Sequence, residues 1–214
     1  MPVQVFNELP SARSIDAFGA IGVRMHFAAE EEIYAQEEDA DLIYQVLEGA
    51  VRTNRLLSDG RRQIGDFYYP GELFGMEPGD KHRFSADALG DCTILAAKRS
   101  AVRHCGDQRE RLEDLIWTAT AQELARTQEH LFILGRRGAC EKVASFLMSA
   151  AKRAKSDLTP LAMSRQDIAD YLGLTIETVS RTLTQLQSDG LVRFAGYRNF
   201  QVVRPAGLSR LVAA

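Results

Sequence analysis

Cysteine is scarce in this chain and poorly spaced for cysteine chemistry. Cys92, Cys105 and Cys140 stand far apart, with no Cys-x-x-Cys pair and none in the first 91 residues. An odd, scattered set excludes a disulfide framework and suits a reducing compartment, the cytoplasm. It also excludes the kind of iron–sulfur centre held by several closely spaced N-terminal cysteines. Long apolar runs are missing too. No stretch reaches the roughly 18 residues that read as a membrane helix, and the opening MPVQVFNELPSARS lacks a charged-then-apolar secretory pattern, so no membrane partner is expected. Histidine is limited to His26, His82, His104 and His130. No His-x-His pattern exists, which argues against a metal-dependent β-barrel enzyme. No spacing singles out a haem ligand either. The chain is read as a non-enzyme with no metal and no cofactor.

What is present divides unevenly. At 214 residues there is room for one large domain or two modest ones. Residues 136–214 carry twelve Lys/Arg against six Asp/Glu, a net of +6, whereas residues 1–135 carry fourteen against twenty-three, a net of −9. A basic C-terminal part beside an acidic N-terminal part suits a polyanion binder with a regulatory domain.

The most informative stretch is MSRQDIADYLGLTIETVSRTLTQLQSDGLV, residues 163–192. Ser164 is an N-cap, and Asp167 places its charge in the first turn of a helix. Ile168, Ala169 and Leu172 are apolar at helical spacing, and Gly173 ends that helix. Thr175 caps a second helix, on which Val179, Leu183 and Leu186 recur on one face. Its other face offers Glu177, Ser180, Arg181 and Gln185. Arg forks onto guanine O6 and N7, Glu accepts from the cytosine amino group, and Ser pairs with either kind of edge. A helix, a tight turn and a helix with such a face describe a major-groove reader.

Other segments have their own textures. From Ile21 to about Lys98, short apolar runs alternate with turn signals at Glu48-Gly49, Ser58-Asp59-Gly60, Ile64-Gly65-Asp66, Pro70-Gly71-Glu72, Pro78-Gly79-Asp80 and Gly90-Asp91. Turns that frequent predict an antiparallel all-β barrel or sandwich, with a hairpin turning at Ser58-Asp59-Gly60. A short helix is expected near Ser14 to Phe18. Gln108 to Gly135 contains no Gly or Pro before its end and predicts one long helix. One stripe of that helix, Leu112, Leu115, Ile116 and Ala119, suits packing on the β domain. Another, Trp117, Leu124 and Leu131, recurs every seven residues like a coiled-coil seam and predicts a homodimer. Gly135 and Gly138 flank Arg136-Arg137 as a hinge. Cys140 to Lys152 is an amphipathic helix with Val143, Phe146, Leu147 and Ala150 on one face. Ala151 to Leu161 is basic, then loop-like. Leu191 to Phe194 and Asn199 to Val203 read as a hairpin around Ala195-Gly196-Tyr197-Arg198, the wing of a winged helix.

The run Glu177-Thr178-Val179-Ser180-Arg181, after DIADYLGLT, resembles the recognition motif of the catabolite activator/FNR family of bacterial transcription regulators. It is most similar to the branch of FNR and FixK, in which Glu-x-x-Ser-Arg reads TTGAT half-sites. The catabolite-activator branch has an Arg where this chain has Ile176. Ile64-Gly65-Asp66-Phe67 and Gly71-Glu72-Leu73 resemble the opening of the phosphate cassette of cyclic-nucleotide-binding β-rolls. Nucleotide-binding members follow it with an Arg and a small hydroxyl residue; here Lys81-His82-Arg83-Phe84-Ser85-Ala86-Asp87 breaks that pair at Phe84, and a buried phosphate without its cation is costly. The resemblance therefore implies an α+β chain. Residues 1–106 form an antiparallel β-roll of the cyclic-nucleotide-binding jelly-roll type. Residues 107–136 form a dimerisation helix and hinge, and residues 137–214 a winged helix-turn-helix. It implies an activator that binds double-stranded DNA as a homodimer, touches RNA polymerase and needs no small-molecule effector; an effector-gated sensor is the rival. Glu177, Ser180 and Arg181 would read bases in a TTGAT-N4-ATCAA palindrome. Ser164, Arg165, Gln166, Thr175, Thr178 and the wing at Gly196 would position the DNA backbone. Trp117, Leu124 and Leu131 would form the dimer interface.

Overall fold

The computed structural model describes residues 18–102, 104–154 and 156–213. The helix expected near Ser14 lies outside the described residues except at Phe18. The chain divides into two compact units, residues 1–127 and 128–214.

The first unit is β-rich. Its strands are β1 (Val23–Phe27), β2 (Glu32–Tyr34), β3 (Leu42–Glu48), β4 (Val51–Leu56), β5 (Arg62–Tyr68), β6 (Leu73–Phe74), β7 (Ser85–Ala88) and β8 (Cys92–Lys98). Among the described residues they form two four-stranded sheets, β1-β8-β3-β6 and β2-β7-β4-β5, whose pairings are antiparallel. Strand alternation sorts the side chains into two cores. Tyr44 and Val46 of β3 join Tyr34, Val51, Phe74 and Ile94 in one cluster, which draws on both sheets. Ile43, one residue before Tyr44 on the same strand, points the other way, into a cluster with Leu73, Leu95, Leu112 and Leu115. The last two belong to a long helix. It follows α1 (Arg99–Val102) and a short 3-10 turn, and runs as α2 from Arg109 to Leu134, within a residue of the expected bounds. Leu112 and Leu115 are buried, and Ile116 and Ala119 pack against the same cluster, as their stripe predicts. Each fully buried Leu contributes about 1.5–3 kcal/mol.

The β4–β5 hairpin turns where expected. Gly60 takes φ +84° and its N–H donates to the Leu57 carbonyl at 2.9 Å. The signal at Ile64-Gly65-Asp66 is corrected: those residues lie inside β5, not at a turn. The pairing register slips opposite them, between Thr53 and Asn54. A Cβ on Gly65 would come within 3.0 Å of the Phe84 ring, so this glycine marks a close approach at a bulge.

The second unit takes the last turns of α2 and then α3 (Ala139–Ala154), β9 (Thr159–Pro160), α4 (Arg165–Leu172), α5 (Ile176–Ser188), β10 (Val192–Phe194), β11 (Asn199–Val202) and α6 (Pro205–Ala213). Val143, Leu147, Ile168, Leu172, Leu186 and Phe200 are buried within it. β10 and β11 form the expected hairpin. The segment expected as a loop before Leu161 instead supplies β9, which pairs with Asn199 and Phe200 at the sheet edge, a place where proline is tolerated. Helix α6 is an element beyond those expected. Pro205 at its first position and the buried Leu208 are its sequence signals.

Candidate nucleic-acid interface

Local chemistry fixes the two helices of the motif. Ser164 is extended (φ −76°, ψ 168°) and caps α4. Its Oγ accepts from the Asp167 N–H at 3.1 Å, while the Asp167 carboxylate accepts from the Ser164 N–H at 2.9 Å. Two backbone donors that a helix start leaves unpaired are thereby satisfied. Gly173 ends α4 in the left-handed conformation (φ 62°, ψ 43°), where a side chain would be strained. Lys142 Nζ, from α3, donates to the Leu172 carbonyl at 3.2 Å, and His130 Nε2, from α2, to the Tyr171 carbonyl at 2.7 Å. Thr175 caps α5, accepting from the Thr178 N–H at 3.3 Å.

Helix α5 buries Val179, Leu183 and Leu186. Glu177, Arg181 and Gln185 are exposed on its other face and Ser180 is half-buried. Glu177 and Arg181 sit one turn apart at the N-terminal end, so both reach the same patch. The Glu177 carboxyl is held below its ordinary range, first by its own backbone N–H, then by the Thr175 hydroxyl and the charge of Arg181. It is therefore an anionic acceptor at neutral pH, beside a cationic donor. Ser164, Arg165, Gln166 and Thr175 are exposed and Thr178 is half-buried. Gly196 (φ +69°) is exposed on the β10–β11 wing. Next to it stands Tyr197, 93% exposed, at the tip of the expected Ala195-Gly196-Tyr197-Arg198 turn. On α2, Trp117, Leu124 and Leu131 are 75%, 59% and 69% exposed.

The β-roll interior holds Tyr34, Arg52 and His82. His82 is buried; its Nδ1 faces Glu77 at 3.1 Å and its ring stacks on Tyr34 at 3.6 Å. Arg83 is exposed. The buried Arg52 is paired with Glu30 and Asp87. The Tyr34 hydroxyl is pushed well above its usual range, first by burial, then by Glu77, Tyr44 and Glu123. Arg99 acts on it in the opposite direction, so carboxylates and a cation both stand near this hydroxyl.

The model of the cyclic nucleotide-binding domain matches residues 24–109, and that of the bacterial regulatory proteins of the crp family matches residues 161–192. The nitrogen fixation regulation protein FixK of Azorhizobium caulinodans is 43% identical over 207 residues, 94% of this chain and 84% of that protein. This chain belongs to the Crp/FNR family of regulators. Within the family it is similar to FixK proteins. That of Bradyrhizobium diazoefficiens is 41% identical, over 95% of this chain and 87% of its own length. The solved structure of FixK2 from Bradyrhizobium japonicum superposes with a TM-score of 0.83 at 42% identity, covering 91% of this chain and 98% of that one. The β-roll and helix-turn-helix architecture of the family is thus the architecture of this chain.

Proposed function

We propose that the protein is a transcription activator that binds double-stranded DNA as a homodimer, reading a TTGAT-N4-ATCAA-like palindrome without a small-molecule effector. The observation that carries this is the pair Glu177 and Arg181, exposed one turn apart at the capped start of α5. Glu177, Ser180 and Arg181 read bases. Ser164, Arg165, Gln166, Thr175, Thr178 and Gly196 hold the backbone. Trp117, Leu124 and Leu131 form the seam between two copies, and two copies match a palindrome with half-sites about one helical turn apart. Residues 1–106 regulate, 107–136 dimerise and hinge, and 137–214 bind DNA and, with the roll, RNA polymerase. The exposed Arg83, separated from Ser85 by Phe84, supports the effector-free mode. The names of its relatives support a role in the regulation of nitrogen fixation, and the few, scattered cysteines suit the cytoplasm. Titration of the reduced protein into a TTGAT-N4-ATCAA duplex and a scrambled duplex, at fixed salt, tests the proposal. Tight binding to the first alone, unchanged by cyclic AMP, is expected. Equal binding to both, or binding only with the nucleotide, overturns it.

A further inference from the structure

Helix α2 grips the first unit in two different ways. Up to Ala119 the grip is apolar, through Leu112, Leu115, Ile116 and Ala119. From Thr120 to Thr127 only Gln122, Glu123 and Arg126 are half-buried, and the rest are exposed. Here the contacts become polar. Arg126 Nε donates to Asp66 Oδ2 at 2.5 Å, and the two side chains are only 22% and 14% exposed. The same guanidinium lies 5.5 Å from the centre of the Tyr68 ring, and the Tyr68 hydroxyl donates to Glu123 Oε1 at 3.2 Å. Asp66 is itself fixed in β5: its N–H donates to Thr53 Oγ1 at 3.1 Å, and its other carboxylate oxygen accepts from the Phe67 N–H at 2.8 Å.

We infer that Asp66 and Arg126, seconded by Tyr68 and Glu123, are positioning residues for DNA binding: an internal latch that sets the middle of α2 on β5 in one register. The inference rests on the effector-free reading and supplies its physical basis, since the helix is fixed from within the chain. The apolar grip already docks the helix, and a partly buried ion pair contributes little net stability once desolvation is counted. What a charge-assisted hydrogen bond from Arg126 Nε to a fixed carboxylate adds is direction. Leu124 lies within the latched segment, and the register of α2 decides how it meets a second copy. That in turn sets the spacing of two recognition helices.

The test uses the full chain with Arg126→Met, Arg126→Lys, Asp66→Asn and the Arg126→Met/Asp66→Asn double variant. Met keeps the stem beside Tyr68 and removes the charge. Affinity for the TTGAT-N4-ATCAA duplex, amide exchange over residues 120–127 and thermal unfolding are read for each. Arg126→Met and Asp66→Asn should each weaken specific binding on the order of tenfold, and the double variant no further than the worse single. Residues 120–127 should exchange faster, the double variant, which leaves no lone charge, should unfold close to the parent's temperature, and Arg126→Lys should restore most of the affinity. Affinity within twofold of the parent, or losses that add in the double variant, overturns the inference. If the parent bound neither duplex, the DNA-reading proposal would fall by itself. Exchange over residues 120–127 would still decide the latch, with unchanged rates in Arg126→Met overturning it.

Discussion

The His130 imidazole lies flat on the Tyr171 ring, 3.7 Å between centroids and 4° from parallel, while its Nε2 meets the Tyr171 backbone carbonyl at 2.7 Å. A carbonyl only accepts, so Nε2 carries the proton. One side chain from the end of α2 thus covers and pairs the end of α4. His130→Ala should cost about 1–3 kcal/mol, because the buried carbonyl loses a partner. His130→Gln, which keeps a donor, should recover part of that. Urea unfolding of the two variants beside the parent measures both.

Two arginine and lysine positions should separate base reading from backbone attraction. Arg181→Ala should lose about 1–3 kcal/mol on the specific duplex and relax preference at the guanine it reads. The exposed Lys152, in the last turn of α3, should act on phosphate. Lys152→Ala should weaken specific and scrambled duplexes alike and flatten the salt slope by about one. Equal loss on both duplexes for Arg181→Ala would remove its base-reading role.

Glu123 gives the roll a pH dependence of definite sign. Its carboxyl is raised above the ordinary value, by burial first and then by Asp66 and Glu77, against lowering by Arg126 and the Tyr68 hydrogen bond. A raised folded value means that the folded state favours the protonated form. The stability this confers is complete below the unfolded pKa, about 4.3, and is lost as pH rises through the folded value. Glu123→Gln, permanently neutral, should remove this loss. Urea midpoints at acid and neutral pH should therefore fall less for the variant than for the parent.

The seam on α2 makes its own demand. Leu124→Asp would place a charge at the centre of an apolar stripe. Sedimentation should show the parent as a dimer and the variant as a monomer. Affinity for the palindrome should drop about 100-fold or more, as one of two linked contacts is lost.

The parts legible in the sequence are those whose chemistry is local. The Ser164–Asp167 box, Gly173 and the Thr175 cap each act within a few residues, so both helices of the motif emerge nearly to the residue. The turn at Gly60 and the stripe from Leu112 to Ala119 are equally local. What escaped depends on distant partners. Gly65 reads as a turn until Phe84 is seen against it, and β9 exists because Asn199 and Phe200 come to pair with it. Arg126 looks like any helix-surface arginine until Asp66, 60 residues away, is placed opposite. His82 looks like an ordinary histidine, and only the fold shows it buried between Glu77 and Tyr34. Pro205 carried a local signal, but one proline after a hairpin is weak without Leu208 packed beneath.

The most direct test of the central claim is selection of duplexes from a randomised pool by the reduced, ligand-free, full-length protein. The recovered sequences should be inverted repeats of TTGAT type with half-site centres about one helical turn apart, and Arg181→Ala should blur the guanine column of each half-site. Recovery of no common sequence, or of a site without two-fold symmetry, would contradict a dimer that reads DNA through Glu177 and Arg181.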